Sequence, residues 1–256
     1  MNILDKLVRN SLDAIELNTY KISDKLKRST KSIPTAVQNN QHASIISEVK
    51  FSSPSERSII TKSNPIEIVN NMINGGAIGL SVLTQPFMFN GSPQIFMRIR
   101  KRFDVPMIMK DVIVDKIQIE AADNIGADYI LLIKSLFDLK YVKDLEEMIA
   151  YSHKLGLKVI LETHTENEFK NSLITDADII GINNRDLNTL KVDINTTKKL
   201  LNNYSGSKII ISESGINNKA DIKFLYDCGI RLFLVGTSIM KNKNILLHVK
   251  NLVNAI

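Results

Sequence analysis

The chain has 256 residues, 44% of them hydrophobic and 23% charged, which is the composition of an ordinary globular protein. No apolar run approaches the roughly 18 residues that a membrane span requires, and the opening MNILDKLVRN lacks the apolar stretch of a secretory signal. The formal charge of +6, 33 basic against 27 acidic residues, is scattered along the chain, so it suits a small anionic substrate better than a nucleic acid, for which no motif is present.

In chain order, residues 1–43 read as a polar, helix-like extension. It contains KLKRSTK (25–31), one of the two densest basic groups. Eight short apolar runs follow as predicted strands: SIISEVK (44–50), IGLSVLT (78–84), PMIMK (106–110), DYILLI (128–133), LKVILET (157–163), DIIGIN (178–183), KIIISES (208–214) and RLFLVG (231–236). Runs this short and rich in Ile, Val and Leu are what a parallel sheet buried on both faces requires. Amphipathic helical stretches lie between them, such as PIEIVNNMINGG, DKIQIEAADNIGA, YVKDLEEMIAYSHKLG and KADIKFLYDCG. Several stop at a glycine just before the next strand (Gly76, Gly126, Gly156, Gly229), a C-terminal cap signal. The second basic group, RIRKR (98–102), reads as the solvated end of a helix.

Strict alternation of β and α through eight repeats predicts one (β/α)₈ TIM barrel spanning 1–256, with residues 1–43 as its N-terminal helical extension. A doubly wound sheet is the alternative. It would need a Gly-rich phosphate turn after the first strand, and SSPSERS is not one.

Barrels of this kind place their chemistry at the C-terminal ends of the strands. There the chain carries Glu48 and Lys50 (strand 1), Lys110 and Asp111 (strand 3), Glu162 (strand 5), Asn183 to Asp186 (strand 6) and Glu213 (strand 7). A single charged residue at a strand end is ordinarily solvated or ion-paired. Lys50, Lys110, Glu162 and Glu213 come from alternate strands and so predict one upper layer of two cations and two carboxylates, with Glu48 one step below Lys50. Mutual proximity of this kind prepares groups for acid–base work.

SESGI and VGTSIM, at the ends of strands 7 and 8, put small residues where main-chain N–H groups can face an anion. Ser214, Gly215, Gly236 and Thr237 are the phosphate candidates. Phe89, Leu131, Ile133 and Leu187 are candidates to pack against a flat apolar part of the ligand. One cysteine, Cys228, cannot form an internal disulfide, which agrees with a cytoplasmic setting. None of the four histidines (His42, His153, His164, His248) has metal-ligand spacing with another histidine or with Cys228, so no metal is expected.

EVKFSSPS, SVLTQPFMFNGS, PMIMKDVIVDKIQIEAADNIGADYILLI, ILETHTENE, IIGINNRDL, ISESGI and FLVGTSIM occur in this order between about residues 44 and 240. Together they resemble the indole-3-glycerol phosphate synthase family. The resemblance implies conversion of 1-(2-carboxyphenylamino)-1-deoxyribulose 5-phosphate to indole-3-glycerol phosphate, with loss of CO₂ and water, in tryptophan biosynthesis and without a cofactor. Lys110 matches the family's general acid and Glu162 its general base. Lys50 matches a residue near the substrate carboxylate and phosphate that also assists a later proton transfer. Glu48, Asn183 and Glu213 match supporting polar residues, and Ser53 and Arg185 match secondary positions. Val112 stands where an aromatic residue is common in the family, and Gln85 where a Glu often occurs. The partner expected is a phosphorylated small molecule, with no nucleic acid and no membrane, bound by a monomer or weak homodimer. A phosphoribosyl isomerase and a non-catalytic phosphate-binding barrel are the alternatives.

Overall fold

The computed structural model describes residues 3–50, 64–202 and 204–256. Eight parallel strands pair in chain order and close into a barrel, which sets aside the doubly wound alternative. They are β1 (Ser44–Val49), β2 (Gly79–Leu83), β3 (Met107–Lys110), β4 (Tyr129–Ile133), β5 (Lys158–Thr163), β6 (Ile179–Asn183), β7 (Ile209–Glu213) and β8 (Leu232–Val235). β8 returns to β1 through Ser44↔Leu232 to Ser47↔Val235. Every predicted strand is present, shortened by one or two residues.

Residues two apart in a strand share a face. Ile46, Ile108, Ile160 and Ile211 are fully buried and precede Glu48, Lys110, Glu162 and Glu213 by two positions. An apolar layer from alternate strands therefore underlies the charged one and holds it at the barrel mouth.

The helices differ from expectation in two places. The stretch predicted from Tyr141 becomes helical only at Leu145–Lys154, and a separate short helix, Lys134–Asp138, follows β4 directly. The helix Pro93–Arg100 ends with Arg98, Lys101 and Arg102 exposed, as read, but Arg100 turns inward. Arg100 is buried, its guanidinium paired with Asp128 at 2.8 Å and donating to the Phe103 carbonyl at 2.7 Å. Asp128 also accepts from the main-chain N–H groups of Met107 and Ser29, each at 2.8 Å. One carboxylate thus clamps β3, the extension and the helix before β3. The glycine caps are as read: Gly76, Gly126, Gly156 and Gly229 all have positive φ.

The N-terminal extension runs from the mouth of the barrel to its floor. Helix α1 (Ile3–Glu16) puts Ile3 and Leu7 at the cavity described below. Tyr20 then reaches the end of β3. Further on, Arg28 donates to the Ala127 carbonyl at 2.9 Å and the Leu155 carbonyl at 2.7 Å, at the turns that enter β4 and β5. Lys25 and Arg28 both pair with Asp123. The basic KLKRSTK segment is therefore engaged within the chain. Helix α2 (Ile33–Asn39) follows, capped by Ser32, and the Ile33 N–H donates to the Tyr129 hydroxyl at the base of β4. No helix among the described residues is long and apolar enough to cross a membrane.

Candidate active site

A cavity of about 410 Å³ opens at the C-terminal ends of the strands, within the range usual for small-ligand sites. Lys110, Glu48, Glu162, Asn183, Lys50 and Arg185 line it, with Phe89, Leu131, Ile133 and Leu187 among its apolar surfaces and Ser214, Gly215, Gly236 and Thr237 along another stretch of wall. Glu213 lies just behind them, paired with Lys110. Ser53 lies outside the described residues.

Lys110 is at the centre. Its ammonium pairs with Glu213 and lies 3.6 Å from Glu162 and 3.9 Å from Glu48. These three carboxylates come from β7, β5 and β1, so the alternate-strand layer forms, but its β1 member is Glu48. Lys50 stands beyond the last residue of β1 and reaches back to Glu48 Oε1 at 2.8 Å. The layer therefore differs from the expected one: Glu48 bridges the two lysines rather than sitting beneath them.

The electrostatics follow from three carboxylates facing two ammonium groups in a buried place. Burial by itself favours loss of the Lys110 proton, but Glu213, Glu162 and Glu48 together outweigh it and hold the ammonium above the ordinary lysine range. Burial likewise opposes ionisation of Glu48, yet Lys50 and Lys110, with help from Arg185, pull it below the usual glutamate value. Glu213 goes the other way. Burial pushes it up to about 7, Lys110 pulls against the rise, and Glu162 adds to it. Its Oε1 is buried without a hydrogen-bond partner, so it is the member of the trio best suited to hold a proton near neutrality.

Two glycines make room for this arrangement. A Cβ on Gly181 would stand 2.8 Å from Glu213 Oε1, and one on Gly236 would stand 2.5 Å from Glu48 Oε1. Both carboxylates occupy space that any other residue would fill.

The polar residues after β6 serve as a frame. The Asn183 side-chain oxygen accepts from the Arg185 N–H at 2.9 Å, and the Arg185 guanidinium donates to the Leu190 carbonyl at 3.1 Å. Asn184 is buried, with its amide donating to Ser212 Oγ and the Ser214 carbonyl, each at 3.0 Å, and accepting from Thr197 Oγ1 at 2.8 Å. That grip matters because Ser214 sits at φ 68°, uncommon for a non-glycine residue, next to Gly215 at φ 79°. Asn184 thus fixes the turn that carries two of the four phosphate candidates.

Cys228 caps the helix Lys219–Asp227, away from the cavity. Gln85 faces away from the chemistry as well: its side chain accepts from the Met88 N–H at 3.0 Å and caps the helix Pro86–Phe89. Val112 is buried and lines the cavity. No group of three or more His, Cys, Asp or Glu side chains among the described residues is placed to hold a metal ion. Sequence reasoning placed Asp111 and Asn184 at the strand ends without giving them a role, and did not select Gly181, Ile3 or Leu7. A glycine in the middle of a strand was the available signal for Gly181, and its place directly after Lys110 was the signal for Asp111.

Comparison with known proteins gives the family of the chain. The model of the family described as indole-3-glycerol phosphate synthase matches residues 4–252. The chain belongs to the indole-3-glycerol phosphate synthase family. Among relatives bearing that name, the Methanocaldococcus jannaschii protein is 39% identical over 264 residues, covering 96% of each chain. The Aquifex aeolicus protein is 44% identical over 203 residues, covering 78% of this chain and 77% of that one. Solved structures show the fold alone. A thiamine phosphate pyrophosphorylase from Pyrococcus furiosus superposes with TM-score 0.59 at 14% identity, over 83% of this chain and 94% of its own. A structure titled "Native KDPGal structure" gives TM-score 0.60 at 14% identity, over 90% and 97%.

Proposed function

We propose that this chain closes the indole ring of indole-3-glycerol phosphate from 1-(2-carboxyphenylamino)-1-deoxyribulose 5-phosphate, in the cytoplasm, as a monomer or weak homodimer. The observation that carries the reading is the Lys110 ammonium, set among Glu48, Glu162 and Glu213 at the mouth of a cavity with apolar and polar walls. All of these groups come from one chain.

The ring carbon that bears the carboxylate attacks the ketose carbonyl carbon, and negative charge grows on the carbonyl oxygen. Lys110, kept protonated by its three carboxylates, stabilises that charge and delivers a proton, leaving a hydroxyl. The carboxylate departs as CO₂ and its bonding electrons restore the aromatic ring. The hydroxyl then leaves as water, taking a proton from the Lys50 ammonium, while Glu162 removes a proton from the neighbouring CH₂ carbon, which completes the indole. No step calls for a metal or cofactor.

Lys50 is assigned to the substrate's anionic groups and to a later proton transfer, oriented by Glu48 at 2.8 Å. Ser214, Gly215, Gly236 and Thr237 are assigned to the phosphate. Phe89, Leu131, Ile133 and Leu187 receive the anthranilate ring, and Val112, smaller than the aromatic residue common there, lines the same cavity with Leu7 and Ile3. Asn183 and Arg185 hold the β6 side of the mouth. Incubation of purified protein with the carboxyphenylamino ketose phosphate, without added metal, is expected to yield a fluorescent indole and CO₂. Folded protein that gives neither contradicts the proposal.

A further inference from the structure

Asp111 follows the central lysine directly, one residue past the end of β3, at the wall of the same cavity. Its carboxylate is buried, and among the described residues it has no ion pair. Three neutral donors serve it. The Tyr20 hydroxyl donates to Oδ2 at 2.9 Å, the Thr84 hydroxyl donates to the same oxygen, and the Val112 N–H donates to Oδ1 at 2.8 Å. Thr84 also donates its own N–H to the Lys110 carbonyl at 3.1 Å.

The main chain is therefore gripped where it leaves Lys110, by Thr84 at the Lys110 carbonyl and by Asp111 at the N–H of Val112. Both grips meet at one carboxylate, and the third donor comes from the N-terminal extension. A solitary carboxylate is a costly choice for a buried brace. It is the one small side chain that can accept from all three donors and leave none of them empty.

We propose that Asp111 is a positioning residue for the ring-closing reaction: with Thr84 and Tyr20 it fixes the main chain around Lys110, so that docking of the extension sets the aim of the ammonium group. The consequence for turnover rests on the reading of Lys110 as the acid. The positioning itself does not.

Two readouts separate these. The first is the rate at which acetic anhydride labels Lys110, measured by peptide mass spectrometry on Tyr20→Phe, Thr84→Val and Thr84→Ser proteins. The second is steady-state turnover of the same proteins. Tyr20→Phe and Thr84→Val are expected to label several-fold faster than wild type and to lose about tenfold in kcat with KM within about twofold, since small misplacements of a reacting group are costly. Thr84→Ser keeps the hydroxyl and is expected to behave as wild type in both assays. Unchanged labelling in both Tyr20→Phe and Thr84→Val overturns the proposal, whatever happens to turnover. Faster labelling with unchanged kcat upholds the positioning and instead contradicts Lys110 as the acid. If Thr84→Val does not fold, Tyr20→Phe, which removes a single oxygen, decides the matter by the same criteria.

Discussion

Glu213 Oε1 lies 2.8 Å from the point where a Cβ on Gly181 would stand. The other oxygen of the same carboxylate holds Lys110, so an absent side chain on β6 decides where the central lysine is anchored. Gly181→Ala is expected to push the Glu213 carboxylate aside, because the far end of a flexible side chain yields before backbone does. We expect kcat to fall about tenfold or more while KM changes by less than about threefold, the pattern of an interaction used in the transition state. A kcat within twofold of wild type would show that Glu213 finds another position of equal value.

The raised value of Glu213 makes a prediction about stability. A carboxyl whose folded-state value, about 7, exceeds the ordinary 4.5 binds its proton more tightly in the folded protein. Its contribution is full below the unfolded value and is lost as pH rises through the folded one. Glu213→Gln has nothing to titrate there. Between about pH 5 and about pH 8, the stability of the variant relative to wild type should therefore rise. Urea midpoints at both pH values measure this, and a variant-minus-wild-type stability that stays flat or falls would place the proton elsewhere in the cluster.

Asp128 gives a stability test away from the chemistry. Its removal strips Arg100 of a buried partner and leaves the Met107 and Ser29 N–H groups without their acceptor. Breaking a buried pair from one side costs about 3–5 kcal/mol. Asp128→Ala should lose stability on that order in chemical denaturation while the folded fraction retains wild-type kcat. A loss below about 1 kcal/mol would mean that other groups take up the orphaned donors.

The barrel was legible because its cause is local. Short β-branched runs, glycine caps and the alternation of the two need only neighbouring residues to be read. Strand parity also put Glu48 on the same face as Ile46. What the sequence could not reveal was reach. β1 ends at Val49, so Lys50 lies beyond the layer and Glu48, not Lys50, approaches Lys110. Arg100 looked solvated within a basic run because its partner, Asp128, is 28 residues away. The grip on Asp111 joins residues separated by 91 and 27 positions, and no local pattern announces such a meeting.

Glu162 is 3.6 Å from the Lys110 ammonium, close enough for the two to act in sequence on one substrate. Glu162→Gln preserves shape and removes the base. Its kcat should fall roughly 100-fold or more, as expected for loss of general-base catalysis. Single-turnover experiments should then show CO₂ release outpacing indole formation. Equal rates of the two would put the base at another residue.

The central claim is that Lys110 protonates the ketose oxygen. It is tested most directly by kcat of Lys110→Met at saturating carboxyphenylamino ketose phosphate, a change that keeps the bulk of the side chain and removes its proton. We expect a fall of about 10³-fold or more, near the upper range for loss of a general acid, with substrate still bound. A kcat within a few-fold of wild type would contradict it.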